Sequence, residues 1–308
     1  MRGVLTGFAA IWAVTLVGYL AGRFGLLGPA GPTVLARLVF FLAAPALLFT
    51  TLATSALSAV FTGALAAFVL STALAALAYL LVARFVPPRR DAADTTIGVL
   101  AASYVNAGNL GIPVAAYILG DVSFVAPVLL FQTLLYAPAA LAVLDVTAAG
   151  RRPSVRQLAK LPLRSPLMLA SGAGLIVAAS GWRPPAEALR PFELVGQAAV
   201  PLALLALGAS LRGSRPLANG PDAAHRYAAV VLKAVVQPLL AYLIGRYALG
   251  LAGPTLLAAV VTSALPTAQN IFVFAARYDR ATNLARDSIV LTTLAAAGTL
   301  VVIATVLG

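Results

Sequence analysis

The stretch Asn106-Ala107-Gly108-Asn109-Leu110-Gly111-Ile112-Pro113 interrupts an apolar segment that runs from about residue 95 to residue 119. Pro113 has no N–H, so the carbonyl group of Asn109 loses its helical hydrogen-bond partner. Gly108 and Gly111 let the backbone leave helical angles at little steric cost. Backbone groups freed inside a membrane must be satisfied by the protein or by a water-filled cavity. The stretch therefore predicts a broken transmembrane helix of the kind that forms binding sites in transporters.

A second interruption, Ser263-Ala264-Leu265-Pro266-Thr267-Ala268-Gln269-Asn270, lies inside the apolar run from 253 to 278. Pro266 should free the carbonyl of Thr262 in the same way, although no glycine accompanies this break. The alternative interpretation is a pair of ordinary proline kinks. Two interruptions at corresponding places in a chain are the pattern that indicates a binding site between internal repeats.

The composition is that of a protein embedded in a membrane over most of its length. Of 308 residues, 61% are hydrophobic and 10% are charged, and the mean hydropathy is +0.98. Soluble domains carry about 25% charged residues. Apolar runs of about 20 residues, the length that spans a bilayer, recur throughout and leave no room for a soluble domain. The net charge of +12 therefore indicates membrane topology and not nucleic-acid binding.

Several function classes find no support in the residue types. Cysteine is absent, which excludes disulfides and thiolate metal sites, and no metal or cofactor is expected. The single histidine, His225, is expected in a solvated loop. Without a membrane histidine, an aspartate-rich magnesium site or a Walker A motif, an enzyme is not expected. An oligomeric channel remains an alternative. The apolar start of the chain is interpreted as a first span, because it is longer than the hydrophobic part of a signal peptide and lacks a cleavage motif.

Ten spans account for the apolar runs. They cover residues 4–22, 34–53, 61–86, 95–119, 122–146, 166–181, 188–211, 226–249, 253–278 and 284–307. A basic connection, residues 147–165, separates a first half, 1–146, from a second half, 166–308. Each half holds an odd number of spans, so equivalent spans run in opposite directions and form an inverted repeat.

The basic residues predict the orientation of the chain. Most of the 21 lysines and arginines lie in or near the loops that follow odd-numbered spans. By the positive-inside rule these loops, including 147–165, are cytoplasmic, and both termini lie outside the cytoplasm. A lipid-binding role for the basic residues of this connection is an alternative that needs no separate function.

The polar side chains beside the two breaks are mostly neutral. We expect the substrate-binding residues among them, namely Ser103, Tyr104, Asn106, Asn109, Gln269 and Asn270. Amides offer both donors and acceptors, and a half-helix that begins after a break adds free N–H groups and the positive end of its dipole. The freed carbonyls favour a cation instead. Together these groups suit a small carboxylate, with or without Na⁺ or H⁺ as a coupling ion. The alternative is that the amides bond only to neighbouring helices.

Lys233 is the charged residue that lies deepest in a predicted span, about 10 Å beyond Arg226 at a rise of 1.5 Å per residue. One interpretation is that it supports the site electrostatically, and the other is that it snorkels to the membrane interface. Glu193 and Asp145 lie near span ends and are expected at the interface, so a relay of protons through carboxylates is poorly supported.

Four motifs resemble the auxin efflux carrier family, which includes the plant PIN proteins and bacterial permeases. The segments that match its second, fourth, seventh and ninth helices are Pro45–Phe49, Asn106 with Gly111–Pro113, Pro201–Leu211, and Ala264–Pro266 with Phe272–Tyr278. Together they are fairly specific, and the resemblance covers nearly the whole chain. The large central loop of the plant members is missing.

The resemblance implies an all-α polytopic membrane protein with ten transmembrane helices in two inverted five-helix repeats, a fold related to bile-acid symporters and sodium/proton antiporters. Helices 4 and 9 would be broken and would cross at Gly111, Pro113 and Pro266. Helices 1, 2, 6 and 7 would form a scaffold that dimerises, and helices 3, 4, 5, 8, 9 and 10 a transport domain that moves as an elevator. Asn106 would contact the carboxylate of the substrate.

The sequence thus predicts a secondary transporter of small organic anions in the plasma membrane, working as a homodimer. Gln269 and Asn270 stand where plant members carry apolar residues and a proline, which favours a substrate more polar than auxin. Bacterial relatives include carriers proposed for malate and malonate. Two alternatives stay open: a sodium-coupled symporter of the bile-acid type, and a membrane receptor that binds its ligand without accumulating it.

Overall fold

Apolar helices form the secondary structure of the computed structural model, which describes residues 2–54, 62–111, 114–121, 124–148, 166–212 and 223–307. The helices are α1 Arg2–Arg23, α2 Gly31–Ala53, α3 Gly63–Phe85, α4 Ala92–Ser103, α5 in the consecutive segments Val125–Phe131, Gln132–Tyr136 and Ala137–Ala148, α6 Pro166–Ser180, α7 Ala186–Ser210, α8 Ala223–Ala248, α9 Gly253–Ser263, α10 Asn270–Tyr278 and α11 Thr282–Leu307.

The helices have the length and surface of membrane spans. Within the described ranges, α2, α3, α5 over Pro127–Thr147, α7, α8 and α11 are each long and apolar enough to cross a bilayer. Large apolar side chains such as Leu16, Leu81 and Val302 are exposed on the outer faces of their helices. Apolar outward faces on long apolar helices are the arrangement expected where helices contact lipid. The chain is therefore an all-α, multi-pass membrane protein, as predicted.

Four helices, α1, α2, α6 and α7, pack through glycines and are called the four-helix group below. α1 lies along α7, and α6 lies along α2. A Cβ atom on Gly208 of α7 would lie only 1.9 Å from the carbonyl oxygen of Thr15 in α1. A Cβ atom on Gly174 of α6 would lie 2.7 Å from the carbonyl oxygen of Phe49 in α2. Glycine at these positions allows the helix backbones to touch, which is a common way for helices to associate in membranes.

The two interruptions meet in the other part of the molecule and are called the crossover below. α4 ends at Ser103, and α9 ends at Ser263, seven residues before α10 begins at Asn270. Val105 and Thr267 face each other in an isolated antiparallel bridge. The N–H of Asn106 donates to the carbonyl of Pro266 at 2.8 Å. Each break thus satisfies backbone groups of the other, as the interior of a membrane requires.

The first break begins earlier than the sequence indicated, although it includes Asn106. The asparagine- and glycine-rich stretch predicted an interruption over 106–113, but α4 already ends at Ser103, and a short helical turn covers Ala107–Gly111. The reason is tertiary: the carbonyl of Tyr104 accepts from the N–H of Ala268 at 3.3 Å, so these residues pair with the second break. Pro113 lies outside the described residues, as does most of the basic connection, from residue 149 onward.

Widened, π-helical turns occur within the described parts of three long helices, one each in α2 and α5 and two in α8. Two of these turns, Gln132–Tyr136 in α5 and Leu232–Val236 in α8, carry polar side chains in the interior of the protein, among them Gln132 and Lys233. Widened turns of this kind are rare and often occur at functional sites. Both turn out to lie beside the crossover.

Candidate substrate site

A cavity of about 150 Å³ lies between the crossover and the four-helix group. One wall is apolar and comes from α2 and α7, with Phe40, Leu48 and Val200 among its residues. The other wall is formed by the two breaks, by α5 and by the start of α10. The polar residues of the lining are Tyr104, Asn106, Gln132, Thr133, Gln269 and Asn270.

The polar lining consists of amides and hydroxyls, and the described lining residues include no charged side chain. Asn106 and Gln269 are each only 2% exposed. Amide groups can both donate and accept hydrogen bonds, so the lining can meet a polar ligand without a fixed charge. The cavity therefore has the character of a small-molecule site: largely apolar, with a few convergent polar groups.

The start of α10 adds backbone groups to the cavity. Asn270 is the first residue of this helix, and Val273 and Phe274 of its first turns also line the cavity. The amide oxygen of Asn270 is buried and has no hydrogen-bond partner within the described part of the chain. The N–H groups of Ile271 and Phe272 donate to the carbonyls of Ala268 and Gln269 at 3.2 and 3.0 Å. This helix start therefore favours an anion mainly through the positive end of its dipole.

Gln132 is a lining residue that the sequence analysis missed. Its Nε2 atom donates to the carbonyl of Val105 in the first break at 3.0 Å, so α5 supports the crossover directly. The side chain is almost completely buried. A polar pair, Gln132 and Thr133, inside an apolar span was the signal that could have indicated it.

Ser103 lies behind the cavity and not among its lining residues. Its hydroxyl donates to the carbonyl of Val99 at 2.7 Å and forms a close hydrogen bond with the hydroxyl of Tyr136. The ring of Tyr136 in turn stacks on the ring of Tyr104, with 5.6 Å between centroids. Ser103 is therefore placed to orient the aromatic part of the site.

Lys233 contacts the end of α9 and is not among the lining residues of the cavity. Its ammonium group donates to the carbonyl of Ser263 and to the side-chain oxygen of Gln237, each at 2.8 Å. The residue is 0% exposed, which excludes the alternative that it snorkels to the interface. The sequence predicted that the carbonyl of Thr262, one residue earlier, would be freed, but that carbonyl accepts from the N–H of Leu265 at 3.4 Å. α9 continues to Ser263, so the carbonyl at the helix end is the one that remains free for Lys233.

Gln237 completes this network and was not predicted. Its Nε2 atom donates to the carbonyl of Ser103 at 3.2 Å and to the hydroxyl of Thr72 at 3.0 Å. Lys233 and Gln237 are four residues apart, so they share one face of α8. This spacing could have been read from the sequence. What could not be read is that the face meets the last residues of both α4 and α9.

A second buried polar cluster lies near the start of α8 and α11. Asp287 pairs with Arg226 at 3.1 Å and with Arg286 at 2.8 Å. Arg286 also donates to the carbonyl of Ser210, at the end of α7, at 3.2 Å. The prediction for His225 was wrong: it is buried within α8, with its Nε2 atom 2.9 Å from the carbonyl oxygen of Pro88.

The structure therefore brings four of the predicted site residues, Tyr104, Asn106, Gln269 and Asn270, into one cavity. Gly111 is buried close to α5, where a Cβ atom would lie 3.0 Å from the side chain of Val125. The backbone of Asn109 belongs to the short turn Ala107–Gly111, but its side chain lies outside the described part of the chain.

Comparison with known proteins identifies the kind of protein that carries this site. The model of a family described as "Membrane transport protein" matches residues 4–144 and 151–304. A "Putative malonate transporter" of Rhizobium meliloti (strain 1021) is 33% identical over 220 residues, which is 68% of this chain and 67% of that protein. The chain therefore belongs to the membrane transport protein family, that of the auxin efflux carriers, and is a transporter and not an enzyme.

Proposed function

We propose that the protein is a secondary transporter of small organic anions, with malonate and related carboxylates as its first candidate substrates. The observation that supports this best is the cavity at the crossover, where neutral amides and a helix N-terminus converge. Such a site offers hydrogen-bond donors to a carboxylate without binding it so strongly that release is slow. The name of the Rhizobium meliloti relative points to the same class of substrate.

In this proposal Asn106, Gln269, Asn270 and Tyr104 hold the substrate, and Gln132 fixes the backbone behind Asn106. Asn109, four positions before Pro113, is proposed to complete the binding set. Ser103 acts through Tyr136, whose ring it orients. Gly111, Pro113 and Pro266 keep the backbone open at the crossover, and Lys233 supports the site electrostatically from behind.

The proposed architecture is ten membrane spans in two inverted five-helix repeats, with 1–146 and 166–308 as the halves and 147–165 as the connection. Two observations favour it. The predicted spans each coincide with a helix or a broken pair of helices. The two breaks also meet as antiparallel partners, which is the relation that opposite span directions produce.

We further propose that transport proceeds by an elevator movement. The four-helix group would be the scaffold and the site of homodimer formation, and the remaining helices would form the transport domain. The cavity supports this division, because its two walls belong to the two parts. An apolar wall from α2 and α7 offers little hydrogen bonding that a sliding domain would have to break. We also propose a plasma-membrane location with both termini outside the cytoplasm, which the distribution of basic residues among the loops supports.

Uptake of labelled malonate, malate and acetate into proteoliposomes tests the function. We expect accumulation of at least one of them, and we expect Asn106→Asp to abolish it, because a carboxylate in the cavity repels an anion. Asn283→Asp is the matched control, since Asn283 is exposed on α11. Uptake is measured with and without Na⁺ and proton gradients, which separates the sodium-coupled alternative. Ligand binding without any uptake would instead identify a receptor and overturn the proposal.

A further inference from the structure

Two helices end at the same place behind the crossover. α4 ends at Ser103 and α9 ends at Ser263, and the carbonyls of both residues face α8. The C-terminal end of a helix carries partial negative charge, because its last carbonyls have no partner in the helix. Two such ends side by side in the membrane interior create a negative potential that favours a positively charged group.

In many secondary transporters a bound cation compensates the partial negative charge of such helix ends. Unwound carbonyls and the C-terminal ends of half-helices are the groups that coordinate Na⁺ in broken-helix sites. Here the carbonyl of Ser263 and the side-chain oxygen of Gln237 both lie 2.8 Å from the ammonium nitrogen of Lys233. The lysine thus occupies the position that an ion would take between these oxygens.

The surroundings of Lys233 agree with this role. No carboxylate lies within salt-bridge distance of it in the described part of the chain. Burial of an ammonium group is costly unless other groups compensate its charge. The ends of α4 and α9 supply that compensation, one directly through Ser263 and the other through Gln237, which donates to the carbonyl of Ser103.

We propose that the ammonium group of Lys233, held by Gln237, is the cation that stabilises the two helix ends at the crossover. It takes the place of a coupling Na⁺ and supplies a positive potential to a cavity whose own described lining is neutral. The second part of this statement rests on the proposed function, because it concerns anion binding. The first part concerns the protein alone and is tested without any substrate.

The substrate-free test is thermal unfolding of the purified protein in NaCl, methylammonium chloride or choline chloride. Wild type is expected to melt at the same temperature in all three. Lys233→Ala is expected to melt lower in choline, with part of the loss restored by Na⁺ or methylammonium, because the shorter side chain leaves room beside the freed oxygens. Lys233→Met is expected to melt lower in all three salts, because methionine fills that room without a charge.

The control for this test is Arg246→Met, which removes a charge from an exposed position of the same helix and should not change the melting temperature. Stabilisation of wild type by Na⁺ would overturn the proposal, because the cation position would then be vacant. A Lys233→Ala protein that melts like wild type in choline, or that no cation restores, would also overturn it.

Gln237→Glu keeps the proposal testable if the lysine variants do not fold. A carboxylate next to Lys233 would retain an acceptor for the ammonium group and cancel its charge. The carbonyl of Ser103 would lose its donor, so the variant should melt below wild type. We expect the protein to remain folded and its affinity for malonate to fall by about tenfold or more. Unchanged affinity in this variant would contradict the proposal that Lys233 supplies a positive potential to the cavity. Failure of the proposed function is distinct from these outcomes, since wild type would then bind and transport no carboxylate while the melting behaviour stayed as described.

Discussion

The four-helix group and the crossover are stabilised by different kinds of contact. In the four-helix group, glycines such as Gly208 and Gly174 let the helix backbones touch. At the crossover, buried polar side chains join separate segments: Thr267 donates to the carbonyl of Ala101 at 2.7 Å, and the N–H of Thr267 donates to Thr292 at 3.1 Å. One region depends on the absence of side-chain atoms, and the other depends on particular side-chain atoms.

The boundary between the two regions combines an apolar wall with a few charged contacts. Arg286 of α11 donates to the carbonyl of Ser210 in α7, and the guanidinium group of Arg277 lies 5.0 Å from the ring centroid of Phe41 in α2. Both arginines belong to segments near the ends of their spans. The comparison teaches that the two regions are stabilised in different ways, and a rearrangement along their boundary is what the proposed elevator movement would require.

The largest effect is expected in the four-helix group, from Gly208→Ala. The new methyl group would lie 1.9 Å from the carbonyl oxygen of Thr15, and neither backbone can yield without separating the helices. We expect a loss of about 3 kcal/mol or more in stability, at the upper end of overpacking effects. Gly172→Ala is the control, because a Cβ atom there meets nothing within 4 Å. Equal melting temperatures for the two variants would show that α1 and α7 are not in contact as described.

At the crossover, Gln237→Leu should lower stability by about 1–3 kcal/mol, because the carbonyl of Ser103 and the ammonium of Lys233 each lose a buried partner. Thermal unfolding in detergent measures the effect. Gln197→Leu, at an exposed position at the end of a helical segment in α7, should leave the melting temperature near that of wild type. If both glutamine variants behaved alike, the polar network would not be what stabilises the crossover.

On the cavity side of the crossover, Asn106→Ala should act on affinity and not on stability. Loss of an amide that bonds to the substrate in a water-poor site costs about 1–3 kcal/mol. That corresponds to a roughly ten- to hundredfold weaker binding of the carboxylate. Affinity and melting temperature are measured on the same sample, with Asn283→Ala as the control. Lost stability with intact affinity would mean that Asn106 only packs between helices.

The smallest effect is expected from a substitution that reports orientation. The chain contains no cysteine, so Ser154→Cys introduces a single thiol that leaves transport unchanged. An impermeant thiol reagent added to intact cells should not label it, because residues 147–165 are predicted to be cytoplasmic. Ser180→Cys, at the exposed end of α6, should be labelled from outside. Labelling of the first variant alone would invert the orientation of both regions.

Much of the fold followed from local patterns. The apolar runs predicted the helices to within a few residues, as for α9 and α10 within 253–278 and α11 against 284–307. The second break was placed correctly because Pro266 acts locally, by removing a donor. The amides of the cavity were found for the same reason, since they flank the breaks in sequence.

The remaining features depend on which segments meet, and composition does not specify that. Asp287 and His225 are polar residues near the ends of spans, where water is normally close, and only tertiary packing buries them. The depth of Lys233 was compatible with both snorkelling and an internal bond. The internal bond forms because the carbonyl of Ser263, thirty residues away in sequence, accepts from the ammonium group. The first break begins already at Tyr104 because this residue pairs with Ala268 in the other half of the chain.

The amides of the cavity and the charge on α8 belong to different sets of residues, and this has a consequence for how specificity can diverge. Side chains that line the cavity can be exchanged without replacing Lys233 or Gln237, because neither is among the lining residues. Substrate preference and the charge of Lys233 can thus change independently. Substitution at Gln269 or Thr133 should alter substrate preference while Lys233 is retained, and the same holds for substitutions that arise after gene duplication.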